Sequence, residues 1–496
     1  MADNPRPPYT PLPTPTSIRI LLLAPGPPTD PEIFCYLLPS DLNLDHTLTP
    51  PPSPRPVKSL CFLYATARSG EKKEFPVSFD VILHPGGRSR MHPFQRYTAL
   101  SYVWGDPDDQ KHINLDGVEF PVTRNLYEAL RAVRKGHAGR RLWVDAVCID
   151  QGDYGEKRVQ IGLMRRVFEQ AKRVVAFVPL GEGDGRNVVE LVGRVWGAYR
   201  LMEGEMEEGG SEGSDESEGS DEGSDEGSEE GEEGEEGEEG EEGEEGEEGE
   251  EGEEGEEGEE VTSDGADDPE LHFQQIILAN LGPTKFIEHF GLPAVNSPLW
   301  VSWRRFFASP YFQRIWILQE FICAKEVRFH FGNAQLNARA LILACYAIRE
   351  HTAASNRQYM QRRGEELAQS GQPHRGLRRA WIMFEKRMVW KTRPANLAQL
   401  LIVGGHLFMA TDLRDKVYAL IGLAKDGQDF MQHVSYEPEE THIKVFTKFA
   451  GLLIEKGHGD GLLRYAGISG SAERVQDLPS WVPVRALTGC ALLGES

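Results

Sequence analysis

The chain is poor in cysteine, with six in 496 residues. Cys35, Cys61, Cys148, Cys323, Cys345 and Cys490 form no C-x-x-C pair and show no zinc-ligand spacing. That excludes a disulfide framework and predicts reduced thiols packed in a core. Long apolar runs are also missing. The apolar run Ile20 to Ala24 is far short of the ~20 residues that span a bilayer. The N-terminus, MADNPRPPYTPLPTPT, lacks the basic-then-apolar order of a signal peptide. Together these absences predict no membrane span and a cytoplasmic location. The fourteen histidines include no H-E-x-x-H, so no metal site is expected. No basic stripe interleaved with aromatics is present, which argues against nucleic acid as a partner.

Basic charge is missing altogether from one region. Residues 203–268 hold 37 Asp and Glu and no Lys or Arg. They account for the formal net charge of -26; outside them 53 bases face 42 acids. From Gly231 to Glu260 the sequence is GEE ten times over. Without proline, and with glutamates that would repel across three chains, this is not a collagen repeat. A helix is disfavoured because each Gly costs ~1 kcal/mol and the glutamates repel at i,i+3 and i,i+4. Such a segment buries no apolar area, which predicts a disordered, solvated insertion.

The remainder, some 430 residues, is too long for one typical core. Residues 1–16 read as a Pro-rich arm, disordered or extended. Residues 17–96 read as strands and loops. The region 97–335 carries the main pattern: apolar runs at Tyr97–Trp104, Leu142–Ile149 and Arg173–Leu180 alternate with helical patterns. This is the rhythm of a βαβαβ unit. Asp116-Gly117 is a hairpin signal. Thr123 and Asp153 are helix caps, the latter with Glu156 in the manner of a capping box. Asp145 falls inside a run read as a strand buried on both faces, where a carboxylate must be paired or face a cleft. Ser309-Pro310 opens a helix carrying Arg314, Trp316, Gln319 and Glu320. Residues 336–496 read as a mostly helical second domain.

Other motifs weigh less. Gly181, Gly183 and Gly185 follow a strand, but the spacing and the adjacent Glu182 and Asp184 favour a simple loop over a dinucleotide site. Asp106, Asp108 and Asp109 favour a turn cluster over a cation site.

The blocks YTALSYVWG (97–105), LWVDAVCIDQ (142–151), the Glu156-Lys157-Arg158 helix with Gln160 and Met164, and FQRIWILQE (312–320) resemble the fungal heterokaryon incompatibility (HET) domain family. SIRILLLAPG upstream, and TDLRDKVYALIGLA and LPSWVP downstream, fit as well. Asp150 stands where the family usually has Asn. Val484 and Arg485 follow LPSWVP where the family usually has Asp and Trp. The resemblance implies non-self recognition and cell-death signalling, with self-association and protein partners. It places a HET domain at 97–335 around the insertion at 203–268, with 17–96 packed on it.

The HET domain in turn resembles the Toll/interleukin-1 receptor (TIR) domain, a doubly wound, flavodoxin-like α/β fold with a parallel or mixed sheet. Some TIR domains hydrolyse NAD with one glutamate on a helix, in a Trp-Cys-x-x-Glu context. Trp316 to Glu320 match that spacing without the cysteine. The resemblance therefore implies NAD as a candidate substrate, Glu320 as the candidate catalytic carboxylate, and Trp104, Asp106, Asp145, Arg158 and Trp316 as candidate binding residues. Trp316 and Glu320, four apart, would share a helix face, and a carboxylate there would stabilise a cationic ribosyl centre. The competing reading is structural: Glu320 pairs with Arg314 or Arg158, and the domain is a non-catalytic, self-associating scaffold.

Overall fold

The structure is a computed structural model. It describes residues 9–44, 57–66, 72–83, 89–91, 96–209, 297–345 and 372–463, apart from single positions within these ranges, and a few isolated residues elsewhere. Residues 1–196 and 281–496 cluster as one compact unit and 197–280 as another. The first unit holds both β-sheets.

The chain is α/β. Its main sheet has nine strands: β1 (Ser17–Leu23), β2 (Phe34–Asp41), β6 (Thr98–Tyr102), β7 (Gln110–Leu115), β8 (Val118–Thr123), β9 (Arg140–Trp143), β10 (Val174–Phe177), β11 (Val327–Phe331) and β12 (Ala334–Asn337). They lie in the order β12-β11-β10-β6-β9-β1-β2-β7-β8. A separate three-stranded sheet holds β3 (Val57–Thr66), β4 (Lys72–Leu83) and β5 (Ser89–Met91). β11, β10, β6 and β9 run parallel to one another. β1 pairs antiparallel to β9 and to β2, so the N-terminal strands extend the same sheet.

Local chemistry explains the elements. β10 is VVAF, buried at every position, as a parallel strand covered on both faces must be. The β7–β8 hairpin turns at Asp116 and Gly117, whose φ values of 51° and 85° suit an Asp-Gly pair. Helix α1 (Arg124–Val133) is capped by the Thr123 hydroxyl, which accepts from the Leu126 N–H. After β9 comes one helical turn, α2 (Asp145–Cys148), then α3 (Tyr154–Gln170), capped by Asp153. The strand expected over Leu142–Ile149 thus stops at Trp143. The Cys148 N–H turns back to the Val144 carbonyl at 2.7 Å. A short apolar run does not distinguish a buried strand from a buried turn of helix.

The glycine run also departs from expectation. Helix α4 (Glu182–Gly209) begins at once, so Gly183 and Gly185 lie in its first turn rather than in a loop. A Cβ on Gly185 would sit 2.8 Å from the Phe331 ring, so glycine lets α4 approach β11. Asp184 accepts from the Ser302 hydroxyl at 2.7 Å on helix α5 (Pro298–Ala308).

The segment 297–331 is held by aromatic packing. Phe306 of α5 meets Phe307, Phe312, Phe329 and Phe331, all edge-on at 4.9–5.7 Å. Each buried ring contributes about 1.5–3 kcal/mol of transfer free energy. Pro310–Gln313 forms a 3-10 turn under the Ser309 cap, and the following α-helix, α6 (Ile317–Ile322), is shorter than the one expected.

Beyond β12 the described chain is mostly helical: α7 (Gln372–Val389), α8 (Leu397–Leu400), α9 (Asp415–Ile421), α10 (Gln428–Met431), α11 (His442–Leu453) and α12 (Gly459–Leu463). Arg387 of α7 donates to the carbonyls of Phe321 and Ala324 at 2.5 and 2.8 Å, satisfying the open end of α6. Residues 210–292, which hold most of the insertion expected to be disordered, and the chain end beyond Val482 lie outside the described residues. Among those that are described, no helix is long and apolar enough to cross a membrane.

Candidate functional site

The parallel strands have a switch point. The chain passes from β6 to its neighbour β9, then returns to β10 on the other side of β6. Open α/β sheets offer a crevice where connections diverge in this way, outside the carboxyl ends of the strands. Tyr102 ends β6, followed by Trp104; Trp143 ends β9, followed by Asp145. The Trp104 indole donates to the Asp145 carboxylate at 2.8 Å. Asp145 also takes the Ala146 N–H at 2.8 Å. Trp104 is 40% exposed and forms the open rim.

Under that rim lies a buried polar cluster. Ser101 faces α6, and its hydroxyl donates to the Glu320 carboxylate and lies 2.9 Å from the Tyr311 hydroxyl. Arg314 donates to the Tyr102 carbonyl and sits 3.5 Å from Glu320. Glu320 is 3% exposed. Burial raises its carboxyl above the usual range; the Arg314 charge and the Ser101 hydroxyl oppose this without overcoming it. Burial pushes the Tyr102 phenol up as well, reinforced by the Asp145 charge. Burial works against the Arg314 charge, but Glu320 and Asp145 outweigh it and raise its pKa.

The candidate residues divide. Trp104, Asp145 and Glu320 come together, joined through Arg314 and Tyr102. Trp316 does not join them. Its indole donates to Asp415 of α9 at 2.9 Å, while Glu320 turns to β6. Spacing of four aligns the two backbones, with the Glu320 N–H on the Trp316 carbonyl at 3.2 Å, but their side chains engage different partners. Arg158 donates to the Gln432 carbonyl at 3.3 Å rather than to Glu320. Asp106 accepts the Asp108 N–H at 2.9 Å and orders its own turn.

Sequence reasoning missed several participants, among them Ser101, Tyr102, Tyr311 and Arg19. Ser101 was legible as a small polar residue among the buried positions of β6, beside Ala99, Leu100 and Tyr102. Tyr311 was unmarked among the neighbouring aromatics Phe306, Phe307 and Phe312. Arg19 carried no signal, yet its guanidinium forks onto Glu156 at 2.5 and 2.9 Å and reaches the Cys148 carbonyl at 3.2 Å. The Asp150 N–H also donates to Glu156, at 2.8 Å. The loop after β9 is thereby tied to β1. Tyr9 closes it from outside, with its hydroxyl on the Val147 carbonyl at 3.1 Å and its ring 4.7 Å from the Arg19 guanidinium.

Residues 97–320 match the family described as heterokaryon incompatibility protein (HET). This segment is a heterokaryon incompatibility domain. The matched stretch begins on the approach to β6 and ends at Glu320, so it takes in the whole cluster of Ser101, Tyr102, Trp104, Asp145, Arg314 and Glu320. The chain is also similar to heterokaryon incompatibility protein 6, OR allele, of Neurospora crassa. The two are 25% identical over 424 residues, which cover 79% of this chain and 53% of the relative. The chain thus spans about half the length of the curated relative it matches. No solved structure matches it.

Proposed function

We propose that the protein acts in heterokaryon incompatibility, as a HET-domain component of fungal non-self recognition whose activation leads to cell death. The match of residues 97–320 carries this reading. Self-association and protein partners in the cytoplasm would transmit the signal. The HET domain runs over 97–335, with 17–96 built onto it and 336–496 as a helical region. The central order β9-β6-β10-β11 supports a TIR-like, doubly wound core, because it follows the 2-1-3-4 order of flavodoxin-like sheets. Induced expression in a filamentous fungus tests the reading. Growth arrest is expected; undisturbed growth with the full-length protein present would count against it.

A second reading rests on one observation: Trp104, Asp145 and Glu320 cluster at the carboxyl ends of the strands, beside Arg314. In it the domain cleaves NAD. The bond from ribose C1′ to the nicotinamide nitrogen breaks, and nicotinamide leaves with the electron pair. Water adds at C1′ and releases a proton. Glu320 would steady the cationic ribosyl centre, and Trp104 would stack on a planar base. Purified protein incubated with NAD should release nicotinamide, and Glu320→Gln should not. Absence of release, or equal release by the variant, removes Glu320 from that role.

A further inference from the structure

The opposite face of the sheet carries a second cluster, unrelated to the residues above. Thr98 of β6 pairs with Leu142 of β9, and the Ala99 N–H bonds to the Arg173 carbonyl at 3.0 Å. Arg328 pairs with Val175, and His330 with Phe177. Parallel neighbours in register point the same way, and alternate residues share a face. Arg140, Arg173, Arg328 and His330 therefore lie on one face of β9, β10 and β11. Ser101, Trp143 and Phe329 lie on the other.

Three guanidinium groups thus gather near the amino ends of these strands, with little to balance them. Among the described residues Glu326 is the one carboxylate paired with them, 3.4 Å from the Arg173 Nε and 2.5 Å from the Arg328 Nε. Arg140 spends its Nη1 on the Val133 carbonyl at 2.5 Å. His330 is 4% exposed, and its Nδ1 has no hydrogen-bond partner. The Arg173 Nε lies near Glu326 but makes no hydrogen bond either. Buried nitrogens left unpaired are costly, as is crowding of like charge. Burial, then Arg140, Arg328 and Arg173, push the His330 imidazole down to about 4. The cluster is basic, partly desolvated and short of acceptors.

We propose that Arg140, Arg173, Arg328 and His330 form a binding site for a phosphate-bearing anion. Guanidinium forks match phosphate oxygens in pairs. A diphosphate would span adjacent strands ~4.8 Å apart, supplying the missing acceptors and the missing negative charge. The site lies across the sheet from the Glu320 cluster, so it is independent of that cluster's role.

Calorimetric titration of the full chain with pyrophosphate, at constant ionic strength, tests this. Wild type should bind. The double variant Arg173→Gln, Arg328→Gln should bind at least about tenfold more weakly, whereas Arg124→Gln, on the exposed pair with Asp109, should match wild type. Should the double variant fail to fold, Arg328→Gln alone carries the comparison, because that side chain is 39% exposed. A parallel titration with ADP separates the sources: tighter pyrophosphate binding indicates a free phosphate ligand, tighter ADP binding a nucleoside phosphate, and both support the site. No binding of either at millimolar concentration, or equal binding by the Arg328 variant, overturns it.

Discussion

Arg314 and Glu320 lie 3.5 Å apart, and each is separately tied to β6, Arg314 through the Tyr102 carbonyl and Glu320 through the Ser101 hydroxyl. A buried carboxyl and a part-buried guanidinium thus weld the segment after the acidic tract to a strand laid down more than 200 residues earlier. Removing one partner of a buried pair is far more damaging than the pair is worth. Glu320→Ala should cost about 3–5 kcal/mol in urea unfolding. Arg314→Ala should cost less, because the already raised Glu320 carboxyl can take up a proton and lose its charge. Equal costs would contradict this ordering.

Asp415 gives a pH signature. Burial lifts its pKa from 3.8 to about 6, although Tyr436 and Trp316 both donate to it, at 2.5 and 2.9 Å. The folded chain therefore holds this proton more tightly than the unfolded chain. The associated stability is complete below pH ~4 and is lost as pH rises through about 6. Asp415→Asn should flatten the difference in unfolding free energy between pH 4 and pH 7 relative to wild type. An unchanged slope would show that the carboxyl does not titrate there.

Arg19 is held by geometry that lysine cannot reproduce. Its side chain is 4% exposed and forks onto Glu156. An ammonium keeps the charge but loses the second parallel bond. Arg19→Lys should destabilise the protein by about 1.5–3 kcal/mol, the worth of a hydrogen bond to a charged group. A chemical denaturation midpoint within error of wild type would contradict the assignment.

Deleting residues 211–260 should leave the cooperative thermal transition in place. β10 and β11 pair directly, Val174 with Val327, although the tract lies between them in sequence. Loop-closure entropy changes by only ~0.6 kcal/mol for each doubling of loop length. A deleted protein that precipitates or melts without a transition would show that the tract supports the fold.

Elements fixed by local chemistry were legible in the sequence. The Asp116-Gly117 hairpin and the Thr123 and Asp153 caps follow from side chains bonding to nearby backbone. Even so, Glu156, read as the return half of a capping box, spends its carboxylate on Arg19 and Asp150. Partners remote in sequence were not legible. Nothing in the spacing around Trp316 points to Asp415, 99 residues away, and that contact takes the indole from the cluster it was expected to join. The apolar run from Leu142 concealed the break at Val144, because periodicity over so few residues fits a strand or a helical turn equally. That break carries Asp145 out of the sheet and up to Trp104.

The most direct measurement compares wild type with Trp104→Ala under induced expression in a filamentous fungus. Trp104 is exposed on the rim, so its loss should leave the core and the protein level intact while removing the surface presented at the strand ends. Growth arrest by wild type and normal growth with the variant, at equal protein abundance, is the expected result. Arrest by Trp104→Ala as complete as that by wild type, or no arrest by wild type itself, would contradict the proposal that this cluster is the face through which the domain acts.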